Sequence, residues 1–369
     1  VTKIGILSIK PSIEARSQPS FDRLYQMVGK NTGNLLFTNA VWNQIAGPKE
    51  RTNFSFCPSK LNEEYSALVI PAANWLSPSV DFGDLAKLVE ALKIPVVLIG
   101  LGAQDADYSG SIDVPQGTVR FIKAVSERSV SISVRGAYTR DILSSLGIDN
   151  VTVTGCPSLY QDFRTFSPPP QKLNIRFDRG LIHSTRYSAS HAPFARTESA
   201  HRKLFRLAYA EKLDLLIQSE PEEMAMLTGF SDGGDFDDRL RMLMGEVYNT
   251  PDWEDLKAFI LRQGRVYFDV SKWASSLDMY DYVLGTRLHG TIMALNSGVP
   301  AVLVHHDSRT RELCEFAAIP SVSDDSLQTN RRYIERLFAR ADWSRYYEMR
   351  ERNLTTYMNF LSINGLSAA

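Results

Sequence analysis

Cysteine is scarce: three in 369 residues, at Cys57, Cys156 and Cys314. An odd number, widely spaced, makes neither a disulfide framework nor a zinc knuckle, and fits a reducing compartment. Excess charge of one sign is also missing. Forty-one Lys and Arg stand against 42 Asp and Glu, a net charge of −1. That balance removes the electrostatic case for a nucleic-acid partner, which needs clustered basic charge, and for a polybasic membrane-surface module. Membrane-spanning runs are not expected. The uncharged stretch 65–80 is broken by Pro71, Asn74 and Pro78, and 94–104 falls short of the ~20 apolar residues that a bilayer requires. No basic segment precedes the first strand pattern, so no signal peptide is expected. Internal repeats and low-complexity tracts are absent as well. What remains, 44% hydrophobic and 22% charged, is the composition of a globular cytosolic protein. Its length asks for about two domains, at roughly 150 residues each.

Short apolar runs alternate with helical patterns. In the first half, residues 3–9, 67–70, 94–101, 130–134 and 151–154 read as strands. Between them Leu85, Leu88, Val89 and Leu92 recur at i, i+3, i+4, i+7. Tyr138, Ile142 and Leu146 mark a second helix, with Gly147 placed as its C-terminal cap. The second half repeats the alternation, with strands at 180–183, 213–217, 266–270, 282–284 and 300–304 and a helix face at Leu204, Leu207 and Ala208. The stretch 219–264 reads as helix-rich, with a surface loop at 231–238. Continuous apolar strands joined by amphipathic helices predict parallel sheets covered on both faces. The triple proline Pro168-Pro169-Pro170 suits neither a helix nor a central strand and reads as a stiff linker. The expected organisation is an α/β chain with an N-terminal domain over 1–166 and a second domain over 167–340. A C-terminal amphipathic helix over 341–369 packs back on the body through Trp343, Tyr347, Leu354, Tyr357 and Leu361. Two doubly wound domains of this kind face a cleft at the carboxyl ends of their strands, where ligands bind.

Polar residues just after strands therefore carry the functional information. Gly285-Thr286-Arg287-Leu288-His289-Gly290-Thr291 follows the strand 282–284 and opens a helical run closed by Gly298. Strand, turn and helix put Arg287 and His289 at a cleft edge, with the N–H groups of a helix N-terminus aimed at the same spot. An arginine fork beside a helix N-terminus cradles a phosphate or carboxylate, and an imidazole titrating near neutrality can donate or accept a proton there. A cap and turn with purely structural hydrogen bonds would have the same spacing. His305, His306 and Asp307 also follow a strand, but adjacent residues point to opposite faces, and no metal site is expected. The turn Gly100-Leu101-Gly102-Ala103-Gln104 lacks the spacing of a dinucleotide fingerprint. Glu220 could bind sugar hydroxyls or cap the next helix, and Asn31 and Asn34 could contact an acceptor or cap a helix. Trp75 and Tyr160 read as core aromatics, His183, His191 and His201 as surface or satisfied core histidines, and Cys156 as structural, with no base visible beside it.

The run 285–290, followed by Ala294-Leu295-Asn296-Ser297-Gly298-Val299-Pro300-Ala301-Val302, resembles the polysaccharide pyruvyl transferase family. That family's signature is Arg-x-His at a helix start, then a small-Gly-x-Pro run into a strand. The resemblance continues into 304–309, where relatives show an aromatic, an Asp and a Lys and this chain has His306, Asp307 and Arg309. Asn31-Thr32-Gly33-Asn34 resembles the family's Asn-x-Gly-Asn loop at the start of the first helix. Ser133-Val134-Arg135-Gly136 resembles its Ser-x-Arg-Asp segment, with Gly136 in place of the Asp. Gly155-Cys156-Pro157 resembles its Gly-x-Pro turn, with Cys156 where an acidic residue is usual.

The resemblance implies two Rossmann-like domains in the manner of GT-B glycosyltransferases, and transfer of the enolpyruvyl unit of phosphoenolpyruvate to a saccharide as a ketal. No cofactor is implied. By position, Arg287 and His289 take donor binding and acid/base work, Leu288 contributes backbone, Gly290 and Thr291 line the donor site, and Arg135 is a second anion contact. Asn31, Asn34, Gln104, Glu220, His305, Asp307 and Arg309 are candidate acceptor or loop contacts. The residue types suit that donor, because two arginines and a helix N-terminus can hold its carboxylate and phosphate at ~1.5–3 kcal/mol per charged hydrogen bond. The acceptor, free or lipid-linked, implies a cytoplasmic enzyme of surface-polysaccharide synthesis, stationed at the inner membrane face in the lipid-linked case. Two other expectations compete: a GT-B-type glycosyltransferase using a nucleotide sugar, and a non-catalytic carbohydrate-binding relative that would explain the departures at Gly136, Cys156 and Arg309.

Overall fold

A computed structural model describes residues 3–104, 112–161, 175–186, 199–231 and 233–369. The proline linker, the expected boundary at 166/167 and His191 lie outside the described residues. Strands whose residues are apolar without alternation are buried on both faces, and they build parallel sheets. The first sheet contains β1 (Lys3–Leu7), β2 (Lys49–Thr52), β3 (Tyr65–Pro71) and β4 (Val96–Ile99) in the order β2-β1-β3-β4. A parallel bridge from Leu101 to Val134 continues it into the pair β5 (Ile132–Val134) and β6 (Val151–Val153). The second sheet contains β7 (Gly180–His183), β8 (Asp214–Leu216), β9 (Gly264–Arg265), β10 (Tyr282–Gly285), β11 (Ala301–His305) and β12 (Ser321–Ser323). Its order is β12-β11-β10-β7-β8-β9, and the pairings are parallel. Counted from its own first strand this is 3-2-1-4-5-6, the doubly wound order whose direction reverses between β7 and β10.

In the first half the helices are α1 (Phe21–Met27), α2 (Gly33–Gln44), α3 (Pro58–Glu64), α4 (Gly83–Glu90), α5 (Gln116–Ser126) and α6 (Ala137–Ser145). The second half adds α7 (Ala200–Ala210), α8 (Pro221–Thr228), α9 (Asp235–Val247), α10 (Trp253–Gln263) and α11 (Val270–Ser276). It continues with α12 (Leu288–Asn296), α13 (Ser308–Ala317), α14 (Arg331–Arg340) and α15 (Trp343–Ile363). Among the described residues no helix is long and apolar enough to cross a membrane.

Two expectations fail locally. The strand expected at 266–270 is confined to Gly264–Arg265, because the Asp269 carboxylate accepts from Lys272 N–H at 2.8 Å and starts α11. The acidic loop expected at 231–238 becomes helix from Asp235 onward, with Asp235, Asp237 and Asp238 in the first turn of α9, where the helix dipole favours negative charge.

One apolar core runs from the first sheet (Ile6, Val69) through α2 (Leu35, Leu36) to the second sheet (Leu181, Val283) and on to Tyr357 and Phe360 of α15. A second core covers the opposite face of the first sheet with Leu68, Leu98, Phe121 and Ile142. The two halves are therefore joined by more than the linker. Ile13 N–H donates to Phe268 O at 2.8 Å, and the ring of Phe21 meets that of Phe236 at 5.0 Å. Helix α15 begins against Phe338 and crosses to the first half, where the Tyr357 hydroxyl donates to Gln44 Oε1 at 2.8 Å. Beyond it, Ala368 forms an antiparallel bridge with Ile45, and Asn364 Oδ1 accepts from Val130 N–H at 3.1 Å.

Candidate functional site

The switch point of the second sheet lies between β7 and β10, and both strands end in polar residues. Arg287 is the N-cap residue of α12, and its backbone N–H donates to Nδ1 of His183, the last residue of β7, at 3.0 Å. Its side chain turns inward. Nε donates to Ser184 O at 3.1 Å, and Nη2 donates to Ser219 Oγ and, at 2.6 Å, to Glu220 Oε1. Nη1 makes no hydrogen bond among the described residues, so the expected fork has one open prong and one bound to a buried carboxylate. Burial alone raises the Glu220 carboxyl, but Arg287 and Arg186 bring it down to about 2. Glu220, the N-cap residue of α8, also accepts from Gln218 N–H and Ser219 N–H.

His289 is the second residue of α12, half-buried, stacked on Phe37 of α2 with ring centroids 5.3 Å apart. Its Nε2 lies 3.6 Å from the Cys156 thiol. The base that sequence could not place beside Cys156 is thus 133 positions away. Burial, then the charges of Arg135, Arg309 and Arg287, hold the imidazole well below its ordinary value. It is neutral at pH 7, so it accepts a proton before it can donate one.

Arg135 follows β5 and is 1% exposed. Its Nε donates to Gly100 O at 3.0 Å, Nη1 to Asn74 Oδ1 at 2.9 Å and Nη2 to Ala72 O at 3.4 Å. These acceptors lie just past the carboxyl ends of β3 and β4, and all are neutral. Among the described residues no carboxylate comes within ion-pair distance of this guanidinium. Burial and the charge of Arg309 depress its affinity for its proton, as they do for any cation held without a counter-ion. Arg309, at the start of α13, pairs with Asp307 at 3.3 Å and contributes to the same positive field.

Helix α2 brings a second N-terminus to this place. Asn31 Oδ1 accepts from Gly33 N–H at 2.9 Å, and Thr32 N–H donates to Gln218 O at 2.9 Å across the two halves. A Cβ on Gly33 would sit 2.9 Å from Gln218 Nε2 and 3.0 Å from both Asn31 Oδ1 and His289 Nδ1. A side chain there would push these three groups apart by a few tenths of an ångström. Gln218 is 1% exposed, and its Oε1 has no hydrogen bond among the described residues.

The structure thus gathers His289, Arg135, Arg287, Arg309 and Asn31. The other candidate residues have hydrogen bonds or packing of their own. Asn34 lies inside α2 rather than before the first helix, and its amide donates to Val28 O and Gly29 O. Leu288 is core, and Thr291 is fully buried with its hydroxyl 3.4 Å from His183 Nε2. Gly290 is where His183 and Gln218 pack closest to α12. Asp307 caps α13 with a capping box to Thr310 and accepts from Gln104 Nε2 at 3.4 Å. The charges acting on His305 are those of Arg311, Glu315 and Asp307, away from the arginine cluster. His183 is held neutral, down to about 3, by burial and Arg287. Tyr160 stacks on Tyr357 in the core. Among the described residues no group of His, Cys, Asp and Glu could hold a metal ion.

Glu312 of α13 was not singled out by any motif. It is 2% exposed, accepts from Thr139 N–H at 3.0 Å and from the Thr139 hydroxyl at 2.6 Å, and is pushed by burial up to about 7.

The chain aligns structurally, at 11% identity and a TM-score of 0.44, with UDP-N-acetylglucosamine 2-epimerase from Rickettsia bellii, covering 98% of this chain and 97% of that one. It aligns at 10% identity and 0.44 with Anabaena HepE in complex with UDP and glucose, covering 99% and 98%. With the Staphylococcus aureus MnaA–UDP structure the values are 13% and 0.43, covering 98% of each chain. No curated protein sequence matches significantly. The polysaccharide pyruvyl transferase family model matches residues 31–308, more than half of the chain and inclusive of Asn31, Arg135, Arg287 and His289. The chain belongs to the polysaccharide pyruvyl transferase family.

Proposed function

We propose that this protein transfers the pyruvyl unit of phosphoenolpyruvate to two hydroxyls of one sugar, releasing phosphate and leaving a pyruvate ketal on a surface polysaccharide or its precursor. The observation that carries the reading is the Arg135 guanidinium, buried with only neutral partners beside a neutral His289. A cation held that way is costly until an anion arrives, and a donor with both a carboxylate and a phosphate supplies the missing charge. Arg309, the open Nη1 of Arg287 and the N-terminus of α12 are the further contacts for that donor.

The chemistry follows from these groups. An acceptor hydroxyl adds to C2 of the enol as His289, an imidazole at the outset, takes its proton and passes it to C3, which becomes the methyl group. The C2–O bond to phosphate then breaks, and a second hydroxyl of the same sugar closes the ketal, giving its proton to the same imidazole. The bound donor offsets the arginine field that depresses the ring, so the resulting imidazolium persists long enough to return its proton to the leaving phosphate. The saccharide enters from the first half, over Asn31 and the loop that carries Gln104. Phosphorus NMR of phosphoenolpyruvate with the protein and a panel of galactosides, mannosides and glucuronides tests the reading. Acceptor-dependent appearance of inorganic phosphate is expected, and His289→Gln lowers its rate by roughly 10²–10⁴. No acceptor-dependent phosphate from any member of the panel, or full turnover in the variant, counts against it.

A further inference from the structure

Gly136 follows Arg135 and is the N-cap residue of α6, with φ −166°, an extended conformation open to any residue. Conformation does not explain a glycine there; space does. A Cβ on residue 136 would lie 2.5 Å from Glu312 Oε2 and 2.9 Å from its Cδ. The carboxylate of Glu312, carried by α13 in the other half of the chain, occupies the volume that a side chain at 136 would fill. It also does the work of an N-cap. Oε2 accepts from the backbone N–H of Thr139, three residues past the cap position, and Oε1 from the Thr139 hydroxyl. The N-cap residue itself makes no side-chain bond to the helix.

We infer that Glu312 caps α6 in trans and, by fixing the start of that helix, positions Arg135 in the anion site. The capping group that a helix ordinarily draws from its own chain start has been moved here to the facing half. The segment it holds is short. Arg135 N–H donates to Leu101 O at 2.9 Å, and Arg140 N–H donates to Gly136 O at 3.2 Å, so a loosened first turn is transmitted directly to residue 135. When ionised, Glu312 also acts on Arg135, and it does so without reaching ion-pair distance among the described residues, which leaves the guanidinium available to a ligand. Glu312 is thus a positioning residue, and the cap couples the two halves at the place where the donor is proposed to bind.

The test moves the carboxylate. Amide hydrogen exchange at Arg135 and Thr139 is measured without ligand, and phosphoenolpyruvate affinity is measured by calorimetry. Only the affinity arm rests on the proposed donor. In Glu312→Ala, exchange at both amides accelerates at least tenfold and affinity falls about tenfold. Glu312→Gln, which keeps an acceptor for the Thr139 amide, stays within about threefold of the parent in both. Gly136→Asp alone crowds Glu312 and weakens affinity. Gly136→Asp combined with Glu312→Ala supplies the cap in cis and returns exchange and affinity to within about threefold of the parent. Unchanged exchange in Glu312→Ala overturns the cap, and so does a double variant no better than Glu312→Ala. Recovery of exchange without recovery of affinity overturns the positioning of Arg135. A parent chain that binds no phosphoenolpyruvate overturns the donor proposal, while the exchange arm still decides the cap.

Discussion

Replacing Arg135 by Met tests the anion site most directly, because the side chain keeps much of its length and loses its charge. The guanidinium makes three hydrogen bonds, all to neutral acceptors. A charged contact with a bound donor is worth about 1.5–3 kcal/mol, so its loss weakens affinity by roughly 10- to 150-fold. At a donor concentration of 100 Kd the parent gains about 2.7 kcal/mol of stability. With an unfolding entropy of about 0.8 kcal/mol per kelvin for 369 residues, that gain raises Tm by about 3.5 °C. At the same concentration, which is only ~0.7–10 times its own Kd, the variant gains ~0.3–1.4 kcal/mol and shifts by ~0.4–2 °C. Differential scanning fluorimetry with and without phosphoenolpyruvate reads the difference. A variant that folds and keeps the whole shift would refute the claim that Arg135 awaits an anion.

Further outcomes follow from the same network. Glu220→Gln leaves Arg287 buried without its ion-pair partner, and urea unfolding should register a loss of about 3–5 kcal/mol; under 1 kcal/mol would mean the pair is not buried in solution. Gly33→Ala inserts a Cβ 3.0 Å from His289 Nδ1, so turnover should drop about tenfold while unfolding free energy changes by less than ~1 kcal/mol; unaltered kinetics would show that α2 does not press on the imidazole. Acid should weaken the fold. His183 and His201 are buried, His289, His305 and His306 partly so, and all five are held below their ordinary values, so the folded chain binds fewer protons than the unfolded one below pH ~6.5, and stability drops as pH falls. For His183, lowered to about 3, the loss from pH 6.5 to 5 is about 2 kcal/mol. Glu312, raised to about 7, acts oppositely, since its contribution is present below pH ~4.5 and lost as pH rises toward 7. Five lowered histidines, His305 included, against two raised carboxyls, Glu223 and Glu312, leave a net loss, and denaturation curves that coincide at pH 6.5 and 5 would contradict it.

Sequence reading located the sheets because Leu68-Val69-Ile70 and Val96-Val97-Leu98-Ile99 are unbroken apolar runs, which only a doubly covered strand requires. It missed β2, whose Lys-Glu-Arg-Thr sequence suits a sheet edge and carries no apolar pattern. The aromatic and β-branched residues of 266–270 suit a strand, but the capping bond of Asp269 is a local preference that outweighs them. At the site, Arg287 and His289 were legible because strand, turn and helix are consecutive in the chain. Their surroundings were not. The Glu220 partner of Arg287, the Phe37 ring under His289 and the Glu312 carboxylate in front of Gly136 come from segments brought together by folding alone.

The antiparallel bridge between Ile45 and Ala368, with Ala369 N–H donating to Gln44 O at 3.0 Å, has a consequence for biogenesis. The half of the molecule synthesised first cannot be sealed along this margin until translation has gone on for more than 300 further residues, tens of seconds at ~5–20 residues per second. During that interval the nascent N-terminal half lacks the covering that Tyr357 and Phe360 later give its apolar core.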